Sequence, residues 1–325
     1  MTFTTVRPRV GIALGSGSSR GWAHIGVLRA LAELGVEPDI VCGCSVGSIV
    51  GAAYAANNLE NLEKWTLSLT RLELVRFFEV NASLHGFVNR EKLQQFLHTY
   101  VCADDCQIQQ LSRRFATVAT DLATGREVWF TDGMALEAVW ASIALPGLFT
   151  PYRYHDQWLV DGGLVNPVPV SLCRALGADI VIAVNLNGTV TRRYRYHTQN
   201  GKTATPNPSP PLVVADSVVD MPAKKERLVD ALAASLREYS AALLPDTSKD
   251  KSTPPSLMDS IATSINIMQD KITRSRMAGD PPDILLSPRL EHIGLLEFFR
   301  ATEAIEEGRK AVERMQAEIR DLLSV

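Results

Sequence analysis

Apolar and polar positions in the first half of the chain switch between a strand-like and a helix-like period, which predicts alternating strands and helices. Val10–Leu14 is a short apolar run that ends in the small-residue loop Gly15-Ser16-Gly17-Ser18-Ser19-Arg20-Gly21. Trp22, Ile25, Leu28 and Leu31 then recur at helical spacing, and Gly35 stands where a C-terminal cap belongs. Asp39–Cys42 reads as a second strand, followed by Gly43-Cys44-Ser45-Val46-Gly47 and a helix through Ala56. Strand, helix and strand in this order predict a right-handed βαβ unit and a parallel sheet.

From Leu59 to Val101 the pattern is helical with a break at His85-Gly86, and Asn89 is an N-cap candidate for Arg90–Tyr100. Two hairpins are expected: Arg114–Thr120 with Glu127–Thr131, and Tyr152–Tyr154 with Trp158–Val160. Helices are expected from about Met134 to Ile143, before Pro146-Gly147, and over Pro167–Leu176. Asp179–Asn185 is the clearest buried strand. Beyond it, Gly201–Pro211 and Pro245–Ser256 read as linkers around an amphipathic helix in 212–244 that carries Leu228, Leu232, Leu236 and Leu243. Leu257–Met277 (helix), Asp283–Leu286 (strand) and a charged helix complete the pattern, with no internal repeat.

Composition narrows the class. The 325 residues are 46% hydrophobic and 21% charged, as in ordinary globular proteins. A formal charge of −3 offers no bulk positive field for nucleic acid, so no nucleic-acid partner is expected. Five cysteines without a C-x-x-C pair fit a reducing compartment. The start has Arg7 and Arg9 but too short an apolar run for a signal peptide, and no run approaches the ~20 apolar residues of a membrane span. The expectation is a soluble cytoplasmic protein of undefined oligomeric state.

Gly43-x-Ser45-x-Gly47 between a strand and a helix is the setting of a nucleophile elbow. The sharp turn projects Ser45, and the helix starting there aims its amides and dipole at developing negative charge. A plain small-residue turn that lets Gly47, Gly51 and Ala55 pack closely is the other reading. The Gly15–Gly21 loop could cradle a dinucleotide pyrophosphate, but Arg20 occupies the sixth place of that motif and no acidic residue follows the second strand. It could instead be an oxyanion hole built from Gly15, Ser16, Gly17 and Ser18, with Arg20 adding charge or bracing the loop against a carboxylate.

Of the six histidines, His24 fits packing, His85, His98 and His197 fit the surface, and His155 sits at a hairpin turn. His292 is the rival base, because Ser45…Asp…His292 is the chain order of an α/β-hydrolase triad. That fold would place several strands before the elbow. Asp161, ending a strand before Gly162-Gly163, is the better base candidate; a simple turn at a hairpin exit would also explain the glycines.

Together these blocks resemble the patatin-like phospholipase family. Leu14–Leu28 is similar to that family's opening, Gly43–Gly47 and Asp161–Gly163 to its other two blocks, and Ala141–Gly147 to the segment before the Asp. Arg276–Leu286 makes the likeness closest to the bacterial branch related to neuropathy target esterase, the RssA-like proteins. Ser16 and Ser18 depart from glycines usual in the family, and a Cβ makes a left-handed conformation there more costly.

The resemblance implies a three-layer α/β/α fold with a mainly parallel sheet, a catalytic domain over 10–186, and a mainly helical region over 187–325 with linkers near 188–211 and 245–256. It also implies a Ser45–Asp161 dyad acting on lipid acyl esters, with no metal or cofactor. Peripheral membrane contact follows as a further expectation. Leu145, Leu148, Phe149, Trp140 and Trp129 could line an acyl pocket or simply pack, and the 212–244 helix could be a lid or a docked helix. The alternatives are a low-turnover regulatory or lipid-binding protein and a triad enzyme using His292.

Overall fold

The computed structural model describes residues 7–77, 90–146, 148–188 and 257–324. The expected linkers, the 212–244 helix, His85, Gly86, Asn89, Gly147 and His197 lie outside the described residues.

β1 (Val10–Leu14) runs parallel to β2 (Ile40–Cys44) on one side and to β7 (Ile180–Val184) on the other. β3 (Arg114–Asp121) lies parallel to β2, and β8 (Ile284–Leu286) lies parallel to β7. β4 (Glu127–Phe130) and β6 (Gln157–Asp161) are antiparallel to β3, and β5 (Tyr152–Tyr154) closes the sheet against β6. The mixed sheet therefore runs β5-β6-β3-β2-β1-β7-β8, with β4 also on β3. Both expected hairpins form. The strand expected near Asp283 joins the same sheet as the N-terminal strands.

Successive side chains of a strand point to opposite faces, so the sheet has to be covered twice. Ile12 and Leu14 face a core shared with α1 (Ala23–Glu33), α2 (Val46–Ala55), α6 (Ala135–Ile143) and α9 (Ala301–Glu313). Each fully buried residue of this size contributes ~1.5–3 kcal/mol. Ala13, Cys42 and Ala183 face a second core under α7 (Val170–Ala175), which Met277 of α8 (Leu257–Gly279) also packs against. The result is three layers. α7 is shorter than the sequence predicts because Asn166 and Val168 each precede a proline, which disfavours the helical conformation.

α3 (Leu59–Ser68), α4 (Arg71–Phe77) and α5 (Arg90–Tyr100) follow α2. The charged C-terminal segment forms α9 and a shorter α10 (Gln316–Leu323). Gly26 of α1 and Gly308 of α9 sit where a Cβ would strike the other helix's backbone, and this close contact seats α9 on the first layer. Among the described residues, no helix is long and apolar enough to cross a membrane.

Candidate active site

Ser45 caps the N-terminus of α2 directly after β2, with φ 55 and ψ −124. A non-glycine residue there carries on the order of 1–3 kcal/mol of backbone strain, which persists only if its surroundings enforce it. They do so here. The Ser45 amide donates to Ser142 Oγ at 2.9 Å, and its carbonyl accepts from Ser48 Oγ at 2.6 Å and Ser48 N at 2.8 Å. A side chain on Gly43 would collide with the backbone of Gly47 and Ser48, so the turn can close only over glycine.

β3 brings Asp161 to this serine. Val118 pairs with Cys44 on one edge and with Trp129 on the other; Ala119 pairs with Asp161 and Val128. With β4 on the far edge, β2 and β6 follow each other along the same edge of β3. The residue after Cys44 therefore meets the last residue of β6. Ser45 Oγ donates to Asp161 Oδ2 at 2.5 Å, and Gly163 N donates to Oδ1 at 2.7 Å. Thr120 Oγ1 donates to the Asp161 carbonyl at 2.8 Å, and the Asp161 amide donates to Ala144 O at 3.0 Å. A side chain on Gly162 would strike the Val118 carbonyl. Asp161 is 1% exposed. Burial raises its carboxyl to about 6, although the bonds from Ser45 and Gly163 pull the other way.

The small-residue loop after β1 is only partly available to a ligand. The amides of Gly15 and Ser16 are spent on Val184 O at 3.1 Å and Pro167 O at 2.8 Å, which removes both as free donors. Among the described residues, the amides of Gly17 and Ser18 have no acceptor, and both residues line the same cleft as Ser45. Ser18 has φ 52, so the left-handed conformation that glycine would take freely is adopted here by serine; Ser16 is free of it.

Arg20 braces the loop, though not through a carboxylate. Its guanidinium donates to Ile293 O at 3.0 Å, Asn187 Oδ1 at 3.1 Å and Asn266 Oδ1 at 3.4 Å. Burial draws it down to about 10, partly offset by Glu297, so it stays charged at neutral pH. His24 is fully buried, and burial lowers its ring to about 4. The ring is neutral at pH 7, with Nε2 donating to the Gly15 carbonyl at 2.8 Å.

Ser45 opens onto an apolar cleft. Leu145, Leu148 and Phe149 line it as the acyl-pocket reading expects. Trp140 packs on the core outside the cleft, and Trp129 is 43% exposed with its indole N–H on Glu127. Much of the remaining lining, including Trp65, Leu93, Phe96 and Phe298, comes from α3, α5 and the segment before α9. These residues carry no local motif, so only their shared burial identifies them. His292 lies at the surface, its Nε2 3.4 Å from Glu303 and its side chain 43% exposed. Cys44 is buried, and both burial and the Asp161 charge raise its thiol well above the usual range.

Sequence reasoning missed Ser142, Asn187, Asn266 and Gln269. The last two lie on α8 with Thr273, at helical spacing, all buried. In sequence this polar stripe reads as a solvent face.

The family profile described as "Patatin-like phospholipase" matches residues 12–174. An "Uncharacterized NTE family protein" of Mycobacterium tuberculosis is 32% identical over 93% of this chain and 89% of its own length. "Lysophospholipase NTE1" of Pyricularia oryzae is 30% identical, and human "Patatin-like phospholipase domain-containing protein 6" is 31% identical. Each of these two matches covers 54% of this chain, but only 12% and 13% of the longer relatives.

Proposed function

Since the chain belongs to the patatin-like phospholipase family, in its NTE-related part, and is a lipid acyl hydrolase, we propose that Ser45 and Asp161 form its catalytic dyad. The observation that carries this reading is the 2.5 Å bond from Ser45 Oγ to a buried carboxylate at the edge of an apolar cleft.

A carboxylate on its own is a weak base at neutral pH, with a free Asp value near 3.9. Burial raises Asp161 to about 6, which makes it a stronger base while leaving it ionised at pH 7. As Ser45 Oγ bonds to the ester carbonyl carbon, its proton passes to Asp161. The carbonyl oxygen becomes an oxyanion, for which we assign as donors the unbonded Gly17 and Ser18 amides of the same cleft. The intermediate collapses, the C–O bond to the alcohol breaks, and Asp161 returns the proton to the departing alcohol. Water then adds to the acyl-serine, giving a proton to Asp161, which passes it to Ser45 as the fatty acid leaves.

The cleft favours a substrate with a long apolar chain, and a lysophospholipid is the class suggested by the name of the fungal relative. Leu67 and Leu72, 48% and 61% exposed, flank the cleft residues Leu69 and Leu74, which supports a peripheral lipid contact at the cleft. A fluorophosphonate probe together with turnover of p-nitrophenyl acyl esters tests the dyad. Ser45→Ala is expected to remove both signals and Asp161→Asn to remove turnover; turnover surviving in Ser45→Ala defeats the assignment.

A further inference from the structure

Gln269 of α8 lies 253 residues along the chain from the loop after β1, yet its side chain is 3% exposed and bonded to that loop. Nε2 donates to Ser16 Oγ at 3.1 Å, and Oε1 accepts from Asn187 Nδ2 at 3.0 Å. Asn187 also reaches the Ser16 carbonyl at 3.4 Å, and its Oδ1 holds the Arg20 guanidinium that Asn266 shares. A buried amide left unpaired costs about 1–3 kcal/mol, whereas a fully paired network rigidifies what it touches. The network converges on the stretch Ser16–Arg20, and the Gly17 and Ser18 amides within it have no bond of their own among the described residues. Their direction therefore depends on what holds Ser16 and Arg20 on either side.

We propose that Gln269 is a positioning residue for the oxyanion donors: through Ser16 Oγ and Asn187 it sets the loop that aims the Gly17 and Ser18 amides at the substrate carbonyl. The proposal rests on the Ser45–Asp161 reading. It also accounts for a departure from the family pattern, because the hydroxyl that Gln269 grips exists only because serine occupies position 16. α8 lies beyond the residues that the family profile matches, so this chain uses its C-terminal region to complete the site.

The test is a double-mutant cycle. Gln269→Met keeps the side chain's length and removes both bonds; Ser16→Ala removes the partner hydroxyl without touching α8. Each is expected to lower kcat for a p-nitrophenyl acyl ester about tenfold to a hundredfold, the scale of a small misplacement at a reacting centre. KM should stay unchanged, and the rate of fluorophosphonate labelling should fall in step. The double variant should be no worse than the poorer single, because both remove the same bond. Wild-type kcat in either single variant, losses that multiply in the double, or a loss confined to KM overturns the proposal. If Gln269→Met does not fold, Ser16→Ala decides by itself. Ser45→Ala assayed alongside separates the two ideas. Turnover surviving in Ser45→Ala defeats the dyad, whereas an inert Ser45→Ala with a fully active Gln269→Met defeats only the role of Gln269.

Discussion

The Ser45 hydroxyl and the Asp161 carboxylate meet at 2.5 Å although 116 residues separate them. Their meeting point is one step of β3, where Cys44 opposite Val118 gives way to Asp161 opposite Ala119. No histidine takes part in this contact, so the basicity of the pair depends on how deeply Asp161 is buried.

That burial predicts the pH dependence. With its carboxyl raised to about 6, Asp161 must lose its proton before it can accept one from Ser45. kcat/KM for an acyl ester is expected to rise with pH through a midpoint near 6 and to be level above it. A midpoint near the free Asp value of ~4 would show that burial does not raise the Asp161 carboxyl.

The same shift has a stability consequence. A carboxyl held above its unfolded value favours the protonated native state, so its contribution is present below the unfolded value and is lost as pH rises through about 6. Asp161→Asn, which cannot ionise, is therefore expected to melt higher than the wild type at pH 8, with a smaller gap at pH 5. Paired thermal scans measure both gaps, and equal gaps would show that the carboxylate is not strained by burial.

His292 provides the contrasting case. Its ring is at the surface beside Glu303, while the hydroxyl of Ser45 is committed to Asp161. His292→Ala is expected to leave ester turnover at the wild-type level, and its loss would revive the triad reading.

The exposed Leu67 and Leu72 allow the proposed lipid contact to be tested apart from the chemistry. Leu67→Asp with Leu72→Asp is expected to reduce hydrolysis of lipid presented in phosphatidylcholine vesicles while leaving a short, dissolved p-nitrophenyl ester untouched. Equal loss on both substrates would place these side chains in folding or catalysis.

Cys44 is adjacent to Ser45 but buried, with a thiol held well above its usual range by burial and by the nearby Asp161 charge. Only the thiolate reacts with disulfide reagents. In native protein Cys44 should resist Ellman's reagent and become reactive on denaturation, with mass mapping used to distinguish it from the partly exposed Cys106.

Much of the candidate site is legible in sequence because it is built from local turns. The elbow at Gly43–Gly47, the small-residue loop after β1 and the Asp161-Gly162-Gly163 exit each require residue types that declare themselves within a few positions. The same is true of the hairpins, whose alternation and turn residues are short-range signals. The helix expected from Pro167 starts only at Val170, because a proline that suits a first turn also restricts the residue before it, and Pro167 and Pro169 do so in succession.

Other features are invisible at that range. Whether the Gly15 and Ser16 amides are free depends on carbonyls of Val184 and Pro167, which approach only when β7 and the loop before α7 are in place. The cleft takes walls from α3, α5 and the segment before α9, and a leucine or phenylalanine there has the same signature as any core residue. Asn266 and Gln269 look solvent-facing in sequence and are buried only because α8 brings them to partners 246 and 253 residues away. The sequence by itself thus determined the turns that expose a serine, an aspartate and a pair of amides, since backbone sterics act between neighbours. Tertiary structure alone decided which of those groups are left free, how far Asp161 is desolvated and what holds the loop, because burial and hydrogen-bond pairing belong to segments that meet only when the sheet is complete.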